Sequence, residues 1–442
     1  MSLIIGAGNT KPTMPYDYYY GVRIKTTVAA TTLERIGRPE LHTSLPIQSK
    51  MRRCVLKDDG TVAYYLHATD STKRDTGAAA NLTGADGMVM VEIPKHYRKF
   101  EFDGTDLIAL ISEYPLPGFH EVPKMYRSAY EATVDRTVAA TPKLASVVNT
   151  TAAFRGGNNN TAYDGTYRTF LGLPATQISL TNFRNYARNR GTAGLNGKGW
   201  NCDLYAAQLA TYWLYVIEYA NLNCQADYNP QPDANGYKQG GLGAGVTTMS
   251  DANWNTYNGY YPVVPCGVTN SLGNASGVVA KTINNGAGIS YTFQVPSYRG
   301  IENPFGHIWS WTDGCKCEIQ SEEAGGLSKF YVCNDPAKFQ DSSYNDYDYR
   351  GNLPRSNGYV KAIMGGEFGD NMPTEVGGGS TTYFADYFYT NIPTSGTAMR
   401  GVLFGGRANY GASAGLSCAH TNYAASVTAT YIGSRLCFIP VA

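Results

Sequence analysis

Charge is scarce in this chain and almost balanced: 36 Lys and Arg stand against 35 Asp and Glu in 442 residues, a formal net charge of +1. No broad basic field exists for a phosphate backbone or an anionic membrane, which argues against nucleic acid as a partner. Long apolar runs are also missing. Nothing approaches the roughly 18 apolar residues that span a bilayer. The opening residues, MSLIIGAGNTKPTMPYDYYY, carry only a short apolar stretch with no basic region before it. These absences predict a soluble chain with no export signal and no membrane insertion.

Recognisable chemistry is equally thin. Nine cysteines, at 54, 202, 224, 266, 315, 317, 333, 418 and 437, are odd in number and widely scattered, which is not a disulfide framework. Cys315 and Cys317 sit too close for a CxxC metal knuckle, and the six histidines have no metal-ligand spacing, so no metal and no cofactor is expected. Walker, HExxH, GxSxG and Rossmann motifs are absent. The acidic pairs Asp346 and Asp348, or Glu322 and Glu323, have the residue types of a glycosidase but read better as solvated loop. The chain is therefore expected not to be an enzyme.

What is present is glycine, at 49 residues, and tyrosine, at 35, with 43% apolar residues to form a core. Rigid amphipathic rings on adaptable loops are the ingredients of a binding surface, and also of a loop-rich β protein. Short β-like runs before the Gly/Ala/Asn-rich stretch at 76–87 predict a small β-rich amino-terminal module over residues 1–87. Residues 88–442 form the second domain. Two helices are expected there: SLTNFRNYARNR, capped by Ser179 or Thr181 with Phe183 and Ala187 on one face, and a longer one capped by Asp203. The longer one carries Leu209, Trp213, Val216 and Ala220 as a buried stripe. An irregular insertion is expected at about 225–300.

The carboxyl-terminal stretch from Gly405 to Phe438, GGRANYGASAGLSCAHTNYAASVTATYIGSRLCF, interrupts small residues with bulky or polar ones at no helical or strand period. Gly405, Gly406, Gly411, Gly415 and Gly433 permit turns, and Leu416, Ile432, Leu436 and Phe438 are candidate anchors. Arg407, Asn409, Tyr410, Ser413, His420, Asn422, Tyr423, Val427, Ala429 and Tyr431 are the candidate ligand-binding residues, with the tyrosines giving contact area, Arg407 charge or stacking, and His420, Asn409, Asn422 and Ser413 adaptable hydrogen bonds.

The run Gly306-His307-Ile308-Trp309-Ser310-Trp311 resembles the core motif of the C-type-lectin fold as used by formylglycine-generating and sulfatase-modifying proteins. That resemblance implies an α+β chain of this loop-rich subtype, with Trp309 and Trp311 as packing residues. A broader resemblance runs from LERIGRPELHTSLPIQSKMRRCVL through SEYPLPGFHEVPKMYRSAYEA and RGIENPFGHIWSWTDG to the carboxyl end. It is similar to the variable proteins of diversity-generating retroelements, in particular receptor-binding proteins of phage and prophage tails.

The resemblance implies that residues 405–438 are rewritten from a template by adenine-directed errors. Asn codons altered at their two adenines yield Arg, Tyr, Ser, His, Val, Ala or Thr, and the first six of these are the residues found at 407, 410, 413, 420, 423, 427, 429 and 431. They cannot yield Lys, Glu, Gln, Met or Trp, which are absent from this window where roughly four would be expected from the chain's composition. It further implies a virion location, a bacterial cell-surface receptor of protein or glycan as partner, tail proteins as neighbours, and a possible homotrimer. A diversified adhesion protein on a bacterial surface is the alternative. Formylglycine-generating oxidases use two cysteines five residues apart. Cys418 has Ser413 at the partner position, so the two-thiol copper site is not expected.

Overall fold

The computed structural model describes residues 16–156, 169–191, 199–284 and 290–440; most of the amino-terminal stretch read for an export signal lies outside these. Strands predominate, with four α-helices among the described residues: α1 (Pro39–Ser44), α2 (Leu180–Arg188), α3 (Tyr205–Tyr219) and α4 (Asp251–Asn258). The chain is mostly β and loop-rich with few helices, compatible with the expected α+β class.

Three larger sheets organise it. The first has five antiparallel strands in the order Glu34–Gly37, Tyr20–Ile24, Asp106–Ser112, His96–Asp103, His120–Val122. The second, of seven, runs Trp200–Cys202, Leu436–Phe438, Met125–Ser128, Met88–Ile93, Arg52–Leu56, Val62–His67, Asp70–Arg74. The third, of nine, contains Trp309–Gln320 beside Thr397–Gly405, followed by Gly415–His420 and Tyr387–Tyr389.

Hydrogen bonding corrects the expected boundary at residue 87. Val22 pairs with Ala109, and Cys54 pairs with Met90, so strands on either side of that position share both sheets. Strand edges that would be open in an isolated 1–87 module are closed by residues that follow it. The carboxyl end closes the second sheet, with Phe438 opposite both Tyr126 and Trp200.

Helix α3 lies between the first and third sheets, which explains its nearly complete burial. Trp213 packs on Phe100 with ring centroids 4.8 Å apart, and Tyr205 meets Phe330 at 5.4 Å on the other side. The expected stripe of Leu209, Trp213, Val216 and Ala220 is buried, but so are the other faces. A helix buried on every face is a core helix rather than an amphipathic surface one. Its cap differs from expectation. The residue before the helix is Leu204, without a side-chain cap, because Asp203 is engaged by the Arg127 guanidinium at 3.0 and 2.7 Å. Fully buried, that carboxylate is satisfied by a charged partner rather than by helix N–H groups. In α2 the expected cap is present: Ser179 accepts from the Asn182 N–H, and Phe183 and Ala187 are buried.

The stretch at 225–300 is more ordered than its composition suggested. It contains α4, capped by Ser250, and the hairpin Gly277–Asn284 with Ser290–Tyr298; residues 285–289 of the expected insertion lie outside the described residues. Asn and Gly are weak formers of regular structure, and here Trp254, Val263, Phe293 and Val295 supply a separate buried cluster that holds the segment together.

Candidate functional site

Thr397–Gly405 and Gly415–His420 are adjacent strands of the nine-stranded sheet, and the segment between and after them forms one face. The turn at Gly406 needs glycine twice over: its φ is +82°, and a Cβ would lie 2.7 Å from that of Ala414. Leu416, Ile432, Leu436 and Phe438 are buried, as expected of anchors. Arg435, in the same ending, is buried and donates to the Ser128 carbonyl at 3.3 Å and to the Glu302 and Asn303 carbonyls at 2.5 Å.

Main-chain hydrogen bonds fix the irregular parts. The carbonyls of Tyr423, Ala425, Ala429 and Tyr431 accept from the backbone N–H groups of Gly401, Leu180, Gln177 and Trp309 at 2.9, 3.0, 2.9 and 3.0 Å. Ala408 N–H donates to the His307 carbonyl at 3.1 Å, and Gly411 N–H to that of Thr247 at 2.8 Å. None of these bonds depends on which side chain stands at 407, 410, 423, 427, 429 or 431. Backbone groups that must be paired when buried thus hold the path of the chain while leaving side-chain identity open.

The side chains of Arg407, Tyr410, Tyr423, Val427, Ala429 and Tyr431 are partly exposed. Arg407 lies over two rings, 4.8 Å from the Tyr410 centroid and 4.0 Å from that of Tyr431. Tyr410 continues to Tyr389 at 5.1 Å, and Tyr389 to Tyr387 at 4.6 Å, which meets Tyr359 at 4.9 Å. The row rests on Trp309, buried beneath Tyr410 at 5.5 Å and His420 at 5.3 Å. Ser413 is half-buried with its hydroxyl 3.3 Å from that of Tyr359, and the Asn409 amide donates to Asp251 at the start of α4.

His420 departs from expectation. It is only 5% exposed, wedged between Trp309 and the Tyr423 ring at 4.7 Å, and burial pushes its pKa down to about 3. Its Nδ1 accepts the Asn422 N–H at 3.3 Å, so the neutral ring carries its proton on Nε2. It supports the face from beneath instead of presenting an adaptable contact. Asn422 remains partly exposed, with its Oδ1 unpaired.

Tyr359, Tyr387 and Tyr389 belong to the face and were missed by sequence reasoning, although TTYFADYFYT carries a usable signal. Tyr387 and Tyr389 are two apart on a strand, hence on one side, while Phe388 between them is fully buried. Trp309 and Trp311 are both buried, as expected for packing residues.

Reactive chemistry is muted here. Burial raises the Tyr410 phenol and pushes that of Tyr423 up to about 12, its hydrogen bond to Tyr431 adding to the effect. Cys418 is fully buried, and desolvation, reinforced by nearby Asp386, drives its thiol far above the usual range. A thiol so placed is neither a nucleophile nor a ready metal ligand. Behind the loop, Ala424, Ala425 and Ser426 line a separate cleft with Thr181, Lys316, Asp341 and Arg400; its acids Asp313 and Asp341 are both engaged by Arg184.

No family model matches the chain, and no curated protein matches it. Among solved structures, the Major Tropism Determinant U1 variant is similar at 13% sequence identity and a TM-score of 0.27, with 88% of this chain and 72% of that one covered.

Proposed function

We propose that the chain is a receptor-binding protein whose ligand site is the face formed by residues 407–431 together with Tyr359, Tyr387 and Tyr389, and that this site is diversified by a retroelement. The observation that carries the reading is the division of labour within the segment. Main-chain hydrogen bonds and buried anchors fix its path, while partly exposed Arg and Tyr side chains fill it. Such a surface exchanges its contents without unfolding. Aromatic rings and arginine are the side chains that contribute most to binding at protein surfaces. The resemblance to phage tail proteins supports attachment to a bacterial cell as the purpose, a C-type-lectin-like fold as the scaffold, and the virion as the location. Binding rather than catalysis is favoured because the thiol at 418 is buried and protonated and the phenols on the face are held in their neutral form.

Two measurements test this. A fluorescent form of the protein is incubated with a panel of bacterial cells alongside the variant Arg407→Ala/Tyr410→Ala/Tyr423→Ala/Tyr431→Ala. Loss of labelling with retained circular dichroism is expected, and equal labelling by the folded variant would overturn the assignment. DNA beside the gene should hold a near-copy of codons 405–438 differing mainly at adenines; differences spread over all four bases would remove the retroelement from the proposal.

A further inference from the structure

Arg407 is held in an unusual state for a surface arginine. Two tyrosine rings sandwich its guanidinium, and its Nε is shielded from water without a hydrogen-bond partner. No carboxylate pairs with it among the described residues. The titratable side chains that interact with it carry no negative charge to pair with it: burial raises the phenols of Tyr410 and Tyr423 and depresses the imidazole of His420. The acid at the edge of the face, Asp251, accepts from Asn409. A partly desolvated guanidinium without a counter-ion leaves hydrogen-bonding capacity unused, and a carboxylate or phosphate is the kind of oxyanion that fits it bidentately.

The remainder of the face limits what carries that oxyanion. Gly415–His420 is bonded on one side to Thr397–Gly405 and on the other to Tyr387–Tyr389, so the centre of the face offers no open strand edge on which an extended peptide could add. Recognition must come from side chains. The row Tyr387, Tyr389, Tyr410 presents tilted rings 4.6 and 5.1 Å apart, against which the C–H faces of pyranose rings pack. Asn422, partly exposed in the same face, carries an amide of the kind that meets sugar hydroxyls.

We infer that the ligand of this face is an acidic saccharide, its carboxylate or phosphate held by Arg407 and its rings laid along the tyrosine row. This rests on reading the segment as a binding surface and adds the ligand's chemical class.

The test is isothermal titration of the whole chain with four probes: an oligogalacturonate, a glycerol-phosphate oligomer carrying sugar substituents, a fully methyl-esterified oligogalacturonate, and polyglutamate. One of the two acidic saccharides is expected to bind, and its neutral or peptide counterpart to bind about tenfold or more weakly. Arg407→Gln should lose about tenfold in affinity at unchanged melting temperature, with Arg407→Lys intermediate. Equal binding of the methyl ester or of polyglutamate, or an Arg407→Gln variant that binds like the parent, would overturn the inference. If neither acidic saccharide binds while the parent still labels cells and Tyr410→Ala/Tyr423→Ala does not, the acidic-saccharide class is wrong and the binding face stands. If parent and double variant label cells equally, the binding face itself falls.

Discussion

A Cβ placed on Gly415 would lie 1.6 Å from Oδ1 of Asp386, whose other carboxyl oxygen accepts the Ser417 N–H at 2.8 Å. The buried carboxyl occupies the space a side chain would need, so glycine at this position is imposed by packing. Gly415→Ala should destabilise the protein by about 3 kcal/mol through overpacking. Urea denaturation would show it as a lower midpoint with an unchanged slope, and a midpoint equal to the parent's would refute the packing claim.

Three buried histidines predict acid sensitivity. Burial holds His42 and His96 down at about 4 and His420 at about 3, against an ordinary value near 6.5. Between those limits the unfolded chain takes up protons that the folded chain refuses. The stabilisation is therefore complete above about pH 6.5 and declines as pH falls toward 4, by roughly 2 kcal/mol per histidine at pH 5. Unfolding free energies at pH 7.5 and 5 should differ by several kcal/mol, and His420→Phe should reduce that difference by about one histidine's share; an equal difference in parent and variant would count against it.

Asp386 acts in the opposite sense. Burial raises its carboxyl well above the ordinary 3.8, so the folded state binds the proton more tightly, and its contribution to stability falls as pH rises above about 4. Asp386→Asn keeps an oxygen for the Ser417 N–H and removes the ionisation. The variant should lose less stability than the parent between pH 6 and pH 9; parallel profiles would show that Asp386 is ionised in the native protein.

Buried thiols should be silent. All nine cysteines are free and buried, and desolvation raises the thiols of Cys202, Cys224, Cys266, Cys315 and Cys418 well above their usual range. A chromogenic disulfide reagent at pH 8 should react with about none in the native protein and with all nine in denaturant. Rapid reaction of one native thiol, traced to Cys418, would reopen an oxidative role for it.

Removing one member of the Arg184 and Asp313 pair should be costly. The guanidinium donates to both oxygens of Asp313, at 2.5 and 3.0 Å, and both side chains are almost fully buried. Asp313→Ala leaves an arginine buried with half its partners, at a cost of about 3 kcal/mol or more in thermal or chemical denaturation. Arg184→Met/Asp313→Leu should cost less than either single change, and simple additivity would contradict the coupling.

The helices and anchors were legible because each rests on a local rule. Ser179 caps α2 three residues before the N–H it satisfies, and the apolar spacing of Leu209, Trp213 and Val216 marks α3 wherever it packs. Asp203 misled because a favourable local cap lost to a buried partner, Arg127, that lies 76 residues away in the chain. The boundary at 87 misled for a related reason. A Gly- and Ala-rich stretch looks like a linker locally, but strand pairing between Cys54 and Met90 is decided by the sheet.

By itself the sequence determined which positions near the carboxyl end are small and structural and which are bulky, since turns demand glycine and anchors demand apolar bulk whatever surrounds them. Tertiary structure alone decided which of the bulky residues reach the surface. His420 is drawn under the face by Trp309 and Tyr423, while Tyr359, Tyr387 and Tyr389 join it from strands that only sheet pairing brings beside Gly415–His420. Exposure is a property of how elements pack, and no local pattern of residues encodes it.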